Sequence, residues 1–341
     1  MEPRGEKREH RRDGLTLPAG TRTPAAGLQP PTRILVFHPQ AARYGALLRA
    51  HLSAEVEATA DESEFRRRLP EADVLVAFRF PVDALREARR LRWVQITSAG
   101  TEFLDPTSEL ARCIVTNGRG IHAAPIADYV LTAAVMLQSD FPGLLRAQAE
   151  RTWRRRPVAT LSGRTLGIAG LGAIGQEIAR RAKACGMRTV GLRRTAVPTR
   201  DVDVVFGPGE LHAFLGQCDF VALTVPSTPD THGLMGAREF AAMKRSAYLI
   251  NVARGEIVDE PAMIAALRCG TIAGACLDVF ATEPLPHESE LWSMPNVIVT
   301  PHLAGMRDDY EEQLVAIFLD NFARLVRGEP MRNVVDLARG Y

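Results

Sequence analysis

Lysine is almost missing from this sequence: of its 42 lysines and arginines, only Lys7, Lys183 and Lys244 are lysine. Such a bias fits genome composition, so a single arginine carries less weight as selected chemistry than it would elsewhere. The formal net charge is only +2, which gives no reason to expect nucleic acid or an anionic membrane as partner. No apolar run approaches the ~20 residues of a membrane span. The five cysteines, Cys113, Cys185, Cys218, Cys269 and Cys276, are odd in number and lack metal-ligand spacing. No signal peptide precedes them, so they are expected to be reduced thiols in a cytoplasmic protein with no metal site.

What is present is a globular composition, 46% hydrophobic and 24% charged over 341 residues, a length that suits two domains better than one. Residues 1–31 differ in kind. Arg4, Glu6, Lys7, Arg8, Glu9, Arg11, Arg12 and Asp13 mix both signs, and a Pro-, Gly-, Ala- and Thr-rich stretch follows. So little apolar surface cannot offset the entropy of ordering, and the interspersed acids argue against an organelle transit peptide. A disordered tail outside the fold is expected there.

From Arg33 onward, short β-rich runs alternate with helical patterns. Ile34-Leu35-Val36-Phe37, Val74-Leu75-Val76-Ala77-Phe78, Trp93-Val94-Gln95-Ile96 and Ile114-Val115-Thr116 read as strands, with helices near residues 44–48 and over residues 82–90. A long apolar helix over residues 125–138 starts on Pro125, whose missing N–H costs nothing in a first turn. Residues 151–157 read as a linker. A second series of strands opens at Thr165-Leu166-Gly167-Ile168-Ala169 and continues at residues 189–192, 220–223, 248–251, 275–278 and 297–300. The last helix, residues 309–326, spaces Leu314, Ile317, Phe318 and Phe322 along one face. This alternation predicts two α/β domains with parallel sheets covered on both sides.

Gly170-Leu171-Gly172-Ala173-Ile174-Gly175 follows a strand directly and opens a helix, the context a GxGxxG turn needs to hold a pyrophosphate. Gly170 permits the tight turn, Gly172 lets the backbone approach the anion, and Gly175 lets helix pack on strand; the helix N-terminus then faces the phosphates. The next strand ends in Leu192-Arg193-Arg194-Thr195, where an NAD-preferring enzyme usually carries an acidic residue about 20 positions past the first glycine. Two guanidinium groups and a hydroxyl suit a 2′-phosphate, which favours NADP over NAD. Solvated arginines at 193 and 194 remain the plainer alternative.

Three further motifs lie downstream: Asn251-Val252-Ala253-Arg254-Gly255, Leu277-Asp278-Val279-Phe280-Ala281-Thr282-Glu283-Pro284 and Thr300-Pro301-His302-Leu303-Ala304-Gly305. With the glycine turn they closely resemble the D-isomer-specific 2-hydroxyacid dehydrogenase family. The resemblance extends to Ser98-Ala99-Gly100, to Arg119-Gly120-Ile121-His122-Ala123 and to the ending Gly328-Glu329-Pro330. It implies a Rossmann cofactor domain, residues 135–305, inserted into a discontinuous flavodoxin-like substrate domain, residues 32–134 and 306–341. Long crossing helices would join the two, and a homodimer is implied.

By the same resemblance Arg254, Glu283 and His302 match the catalytic trio, each just past a strand's carboxyl end. The chemistry agrees. Reduction of a 2-keto acid needs a hydride at carbon and a proton at oxygen; a histidine can supply the proton, a carboxylate can orient it, and an arginine fork can polarise the oxygen and clamp the carboxylate. Taken singly, each of the three also suits a bland role in capping, packing or solvation; three separate motifs together do not. The small residues Ser98, Ala99 and Gly100 suit an anion nest for the substrate carboxylate, with Arg79 as a second contact or a solvated side chain. Val225 and Pro226, Val252 and Ala253, and Ala304 and Gly305 are implied along the cofactor, with Asp278 near the nicotinamide amide and His302 beside it. His122 and Asp128 read as structural residues of the hinge.

Within the family, the 192–195 and 98–100 segments look most like glyoxylate or hydroxypyruvate reductases. Formate dehydrogenases carry Gln where this chain has Glu283, and little chain follows the last helix for the regulatory domain of typical phosphoglycerate dehydrogenases. A phosphite-oxidising relative stays open. So does a reading from another class, a corepressor-like protein that senses the dinucleotide without turnover, although the intact trio gives it no support.

Overall fold

The computed structural model describes residues 32–101, 103–104 and 109–337. The expected tail, residues 1–31, lies outside the described residues, as do residues 338–341 at the end of the expected substrate domain. Two parallel sheets organise the chain. The first holds β1 (Arg33–Phe37), β2 (Glu55–Thr59), β3 (Val74–Ala77), β4 (Trp93–Ile96) and β5 (Ile114–Thr116), in the order β2-β1-β3-β4-β5. Helices α1 (Ala41–His51) and α2 (Glu62–Arg68) connect its early strands, and α3 (Ala123–Gln138) and α4 (Phe141–Ala149) lead away from it.

The second sheet is built from β6 (Thr165–Ala169), α5 (Ala173–Ala184), β7 (Arg188–Leu192), β8 (Val204–Phe206), α6 (Leu211–Leu215), β9 (Phe220–Leu223), α7 (Ala237–Ala242), β10 (Tyr248–Asn251), α8 (Glu260–Arg268), β11 (Gly274–Leu277) and β12 (Val297–Val299). Its order is β12-β11-β10-β9-β6-β7-β8, with every pairing parallel. β3, β4, β6, β9 and β11 are buried at every position, as strands covered on both faces must be. The turn between β6 and β7 and the turn after β9 lie at the carboxyl edge where the strand order reverses, the place where such sheets bind ligands.

The final helix, α9 (Tyr310–Arg327), returns to the first sheet. Its buried positions Leu314, Phe318 and Leu325 recur at helical spacing, and Phe318 stacks on Trp93 of β4 with ring centroids 4.5 Å apart. The apolar face of α3 goes the other way: Ile126, Val130, Ala133 and Leu137 share a core with Leu166 and Ile168 of β6 and Ile178 of α5. α3 therefore spans the junction. Among the described residues, no helix is long and apolar enough to cross a membrane.

The structure departs from the expected elements in a few places. The helix expected over residues 82–90 is a 3-10 turn, Val82–Arg86, whose bonds Glu87 N to Ala84 O and Ala88 N to Leu85 O span three residues rather than four. β2 was not expected: its EVEAT sequence puts exposed Glu55 around buried Val56 on a sheet edge, where charge discourages further pairing. α4 was not expected either. Asp140 caps it by accepting from Gly143 N at 3.1 Å, and Pro142 sits in the first turn, where a proline costs no hydrogen bond.

Candidate active site

Three loops at the carboxyl edge of the second sheet bring Arg254, Glu283 and His302 together. Arg254 leaves β10, and Asn251 ties down that turn: its amide donates to Arg254 O at 3.1 Å and its side-chain oxygen accepts from Ala253 N at 3.1 Å. The Arg254 guanidinium is held in part by its Nη1 donating to Ala253 O at 2.7 Å. Gly255 then presses against the loop after β11. A Cβ at that position would lie 1.9 Å from Phe280 C and 2.3 Å from Ala281 N. Only a glycine lets the arginine loop and the glutamate loop touch.

Glu283 lies at the far end of the second loop. Its Oε1 accepts from Phe280 N at 3.0 Å, and its Oε2 faces His302 Nδ1 at 2.8 Å. A carboxylate on Nδ1 assigns the proton to that nitrogen and turns Nε2 outward, where a substrate oxygen can meet it. The pair is exposed, at 51% for His302 and 36% for Glu283, so screening leaves orientation as its main effect. His302 itself has φ of +52°, a left-handed conformation uncommon for a residue with a Cβ. Its N–H donates to Asp278 O at 2.9 Å.

Asp278 is 2% exposed, and its carboxylate holds the His302 loop. Oδ1 accepts from Thr300 Oγ1 at 2.5 Å and Leu303 N at 2.9 Å, and Oδ2 from Ala304 N at 2.8 Å. A carboxylate has about four acceptor positions, so one on Oδ2 is left for an amide.

The glycine turn fits a dinucleotide. Gly170 has φ of +105°, and its N–H donates to Leu192 O at 2.9 Å, joining the ends of β6 and β7. A Cβ on Gly175 would meet Gly170 O at 2.0 Å, whereas one on Gly172 would have nothing within 4 Å. The open side is where a pyrophosphate would lie, before the free N–H groups of Ala173 and Ile174 at the start of α5. Thr224 anchors the next loop by donating to Gly170 O at 2.7 Å, which puts Val225 and Pro226 beside the turn. Val252 and Ala253 are buried below it. At the end of β7, Arg193 is half-buried with Nη1 donating to Thr199 Oγ1 at 3.1 Å, while Arg194 and Thr195 are exposed. No acidic residue occupies that strand end.

The expected anion loop joins the site through the hinge. Ser98 Oγ donates to Gly100 O at 2.7 Å and Asn117 Nδ2 to Ala99 O at 2.8 Å, which fixes the loop's carbonyls inward to protein. Tyr310 donates to Thr97 O at 2.5 Å, and its ring lies 5.3 Å from that of His122. His122 Nδ1 in turn meets Gly305 O at 2.8 Å. Burial lowers the His122 pKa, the Gly305 bond opposes this, and the nearby positive charges of Arg254, Arg307 and His302 lower it further. His122 is therefore a neutral junction residue in a cationic surrounding that suits an acid substrate. Asn117 and Tyr310 were not apparent in the sequence, because neither lies in a motif. Arg79 lies between aromatic rings: its guanidinium is 5.6 Å from the Phe78 ring and 5.3 Å from that of Phe103, with no carboxylate partner among the described residues. It borders a cavity of about 180 Å³ shared with Phe37, His38, Pro39 and Ala60. Among the described residues no group of three or more His, Cys, Asp and Glu side chains is arranged for a metal ion.

Comparison with known proteins gives three kinds of match. A family model described as the NAD-binding domain of D-isomer-specific 2-hydroxyacid dehydrogenases matches residues 131–304. A glycerate dehydrogenase of Methylorubrum extorquens is 34% identical over 300 residues, covering 84% of this chain and 92% of its own. A glyoxylate reductase of Thermococcus gammatolerans is 34% identical over 83% of this chain and 89% of its own. Among solved structures, an NADPH-dependent glyoxylate/hydroxypyruvate reductase of Sinorhizobium meliloti, in complex with NADP and sulfate, superposes with a TM-score of 0.81 at 29% identity, covering 91% of this chain and all of that one.

Proposed function

The chain belongs to the D-isomer-specific 2-hydroxyacid dehydrogenase family, and from that premise we propose that it reduces a small 2-keto acid of the glyoxylate or hydroxypyruvate class to the D-2-hydroxy acid, with NADPH as donor. It is an oxidoreductase using a nicotinamide dinucleotide; a dinucleotide sensor without turnover is not favoured. The observation that carries the residue assignment is the His302–Glu283 contact at 2.8 Å, with the Arg254 loop held against the same strand end by Gly255.

A dinucleotide held on the glycine turn would supply the hydride for the carbonyl carbon. Arg254 bridges the keto oxygen and the carboxylate with its planar fork, and the N–H groups of Ser98, Ala99 and Gly100 take the carboxylate from the other side. His302 Nε2 delivers a proton to the oxygen, and Glu283 keeps the ring aimed as it changes charge. Asp278 would offer its remaining acceptor position to the nicotinamide amide. We draw the cofactor domain over residues 135–305 and the substrate domain over residues 32–134 and 306–341, with α3 as the crossing element. Closure between them would exclude water. Arg79, exposed beside Phe78 and Phe103, would be the second contact for the substrate carboxylate.

Arg193, Arg194 and Thr195 at the end of β7 would take a 2′-phosphate, a reading supported by the NADP complex of the Sinorhizobium meliloti relative. Replacing both arginines by alanine is expected to lower kcat/KM with NADPH by about a hundredfold, the loss of about two charge-assisted hydrogen bonds. NADH turnover should change by less than about threefold. Steady-state rates with both dinucleotides decide this, and a wild-type preference for NADH would remove the cofactor assignment.

We propose a homodimer, a reading supported by apolar side chains exposed along and after α3 and α4: Val135, Phe141, Leu145 at 56% exposure, Trp153 at 90% and Val158. Leu145→Asp is expected to halve the mass seen by light scattering at micromolar concentration. A monomeric wild-type protein would refute the dimer. The five free thiols support a reducing, cytoplasmic setting.

A further inference from the structure

The hydrogen bonds around Thr300 can run in only one direction. Thr300 has a single hydroxyl proton, and the Asp278 carboxylate takes it at 2.5 Å. The Tyr129 hydroxyl, 2.5 Å from Thr300 Oγ1, must then be the donor in that contact. Its own oxygen is left to accept from the Cys276 thiol at 3.2 Å. Protons are thus ordered from Cys276 to Tyr129 to Thr300 to Asp278. Burial pushes the Tyr129 phenol well above its ordinary pKa, and burial takes the Cys276 thiol up to about 11. Both stay protonated through the neutral range, so the direction is fixed and each link polarises the next.

The chain ends on the group that shapes the His302 loop. Asp278 fixes Leu303 N and Ala304 N with its side chain and His302 N with its carbonyl, while His302 sits at φ +52°. A conformation of that kind persists only where its surroundings over-determine it. The hydroxyl that completes the Asp278 set belongs to Thr300, and the proton that orders Thr300 comes from α3, 171 residues away in sequence. α3 grips the same loop a second time at its start, where His122 Nδ1 meets Gly305 O at 2.8 Å. His122 and Tyr129 lie seven positions apart, on one face of the helix, so both ends of the 300–305 loop hang from α3.

We propose that Tyr129, acting through Thr300, is a positioning residue for His302, so that helix α3 at the domain junction sets the aim of the proton donor. This rests on the reading of His302 as that donor. Neither Tyr129 nor Thr300 touches the reacting atoms; they act by keeping the Asp278 carboxylate in register with the loop it holds.

The test compares Tyr129→Phe, Thr300→Val and Thr300→Ser in the full chain, with NADPH and whichever of glyoxylate and hydroxypyruvate the wild type turns over faster. Tyr129→Phe and Thr300→Val are expected to lower kcat about tenfold, with KM for the keto acid and Kd for NADPH moving less than about twofold. Thr300→Ser keeps the hydroxyl and is expected to retain most of kcat. Should Tyr129→Phe fail to fold, the Thr300 pair carries the test alone, since valine nearly matches threonine in volume and serine is one methyl smaller. Wild-type kcat in Thr300→Val overturns the proposal. So does a loss in which kcat and NADPH binding fall together and serine rescues neither, the pattern of a merely structural role. A wild type that turns over neither acid with either dinucleotide overturns the functional reading itself, an outcome distinct from an active wild type with an indifferent Thr300→Val.

Discussion

His302→Ala is expected to lower kcat for keto-acid reduction by about a thousandfold, within the range that a positioned general acid contributes. NADPH binding should survive, since the glycine turn and the end of β7 lie on other loops. The sign of the pH response follows from the same role. Reduction uses the protonated ring, so wild-type reduction should slow as the pH is raised. Oxidation of the 2-hydroxy acid uses the neutral ring and should slow as the pH is lowered. In His302→Ala both dependences should flatten. Glu283→Gln keeps a side chain that can still meet Nδ1, so with orientation as its main role it should cost far less in kcat than His302→Ala. Rate–pH profiles in both directions for these three proteins check the assignment. An alanine variant with undiminished hydride transfer would remove His302 from the mechanism.

Arg254→Ala should cost about a thousandfold in kcat/KM, about 4 kcal/mol of transition-state binding, because it removes both the oxygen's electrostatic partner and the carboxylate's clamp. Arg254→Lys should recover at most about tenfold of that. A lysine keeps the charge but has a point donor where the site calls for a planar fork. The wild-type guanidinium is pre-set by its bond to Ala253 O at 2.7 Å, a constraint a lysine would not inherit in the same geometry. Steady-state kinetics over a range of keto-acid concentration separate the two losses, with KM rising and kcat falling together. Equal kcat/KM for Lys and Arg would show that only the charge matters.

Much of this was legible in the sequence because the candidate residues follow strands. Arg254, Glu283 and His302 each come just after an apolar run, and a carboxyl strand end is where a doubly wound sheet exposes side chains to a ligand. The glycine turn was legible for the same reason, as was α9, whose Leu314 and Phe318 keep helical spacing. β2 was not, since Glu55 and Glu57 break any apolar run and only Val56 and Ala58 pack toward the core. Nor was the weakness of the expected helix at residues 82–90, because local propensity does not show that its bonds close after three residues. Contacts across the fold were out of reach altogether. Gly255 reads as one more motif glycine until Phe280 is seen against it, and Tyr129 as one more apolar position of α3 until Thr300 is placed at its hydroxyl.

Every residue role above depends on this chain passing a hydride from a reduced dinucleotide to a 2-keto acid. A single-turnover experiment tests it most directly: NADPH-loaded enzyme is mixed with glyoxylate, hydroxypyruvate, pyruvate or phenylpyruvate, and loss of the reduced nicotinamide signal is followed while product configuration is assigned. One dinucleotide should be oxidised per site with glyoxylate or hydroxypyruvate, with a D-2-hydroxy product wherever the product is chiral. Tight NADPH binding with no oxidation by any of the four acids, or an L product, would contradict it.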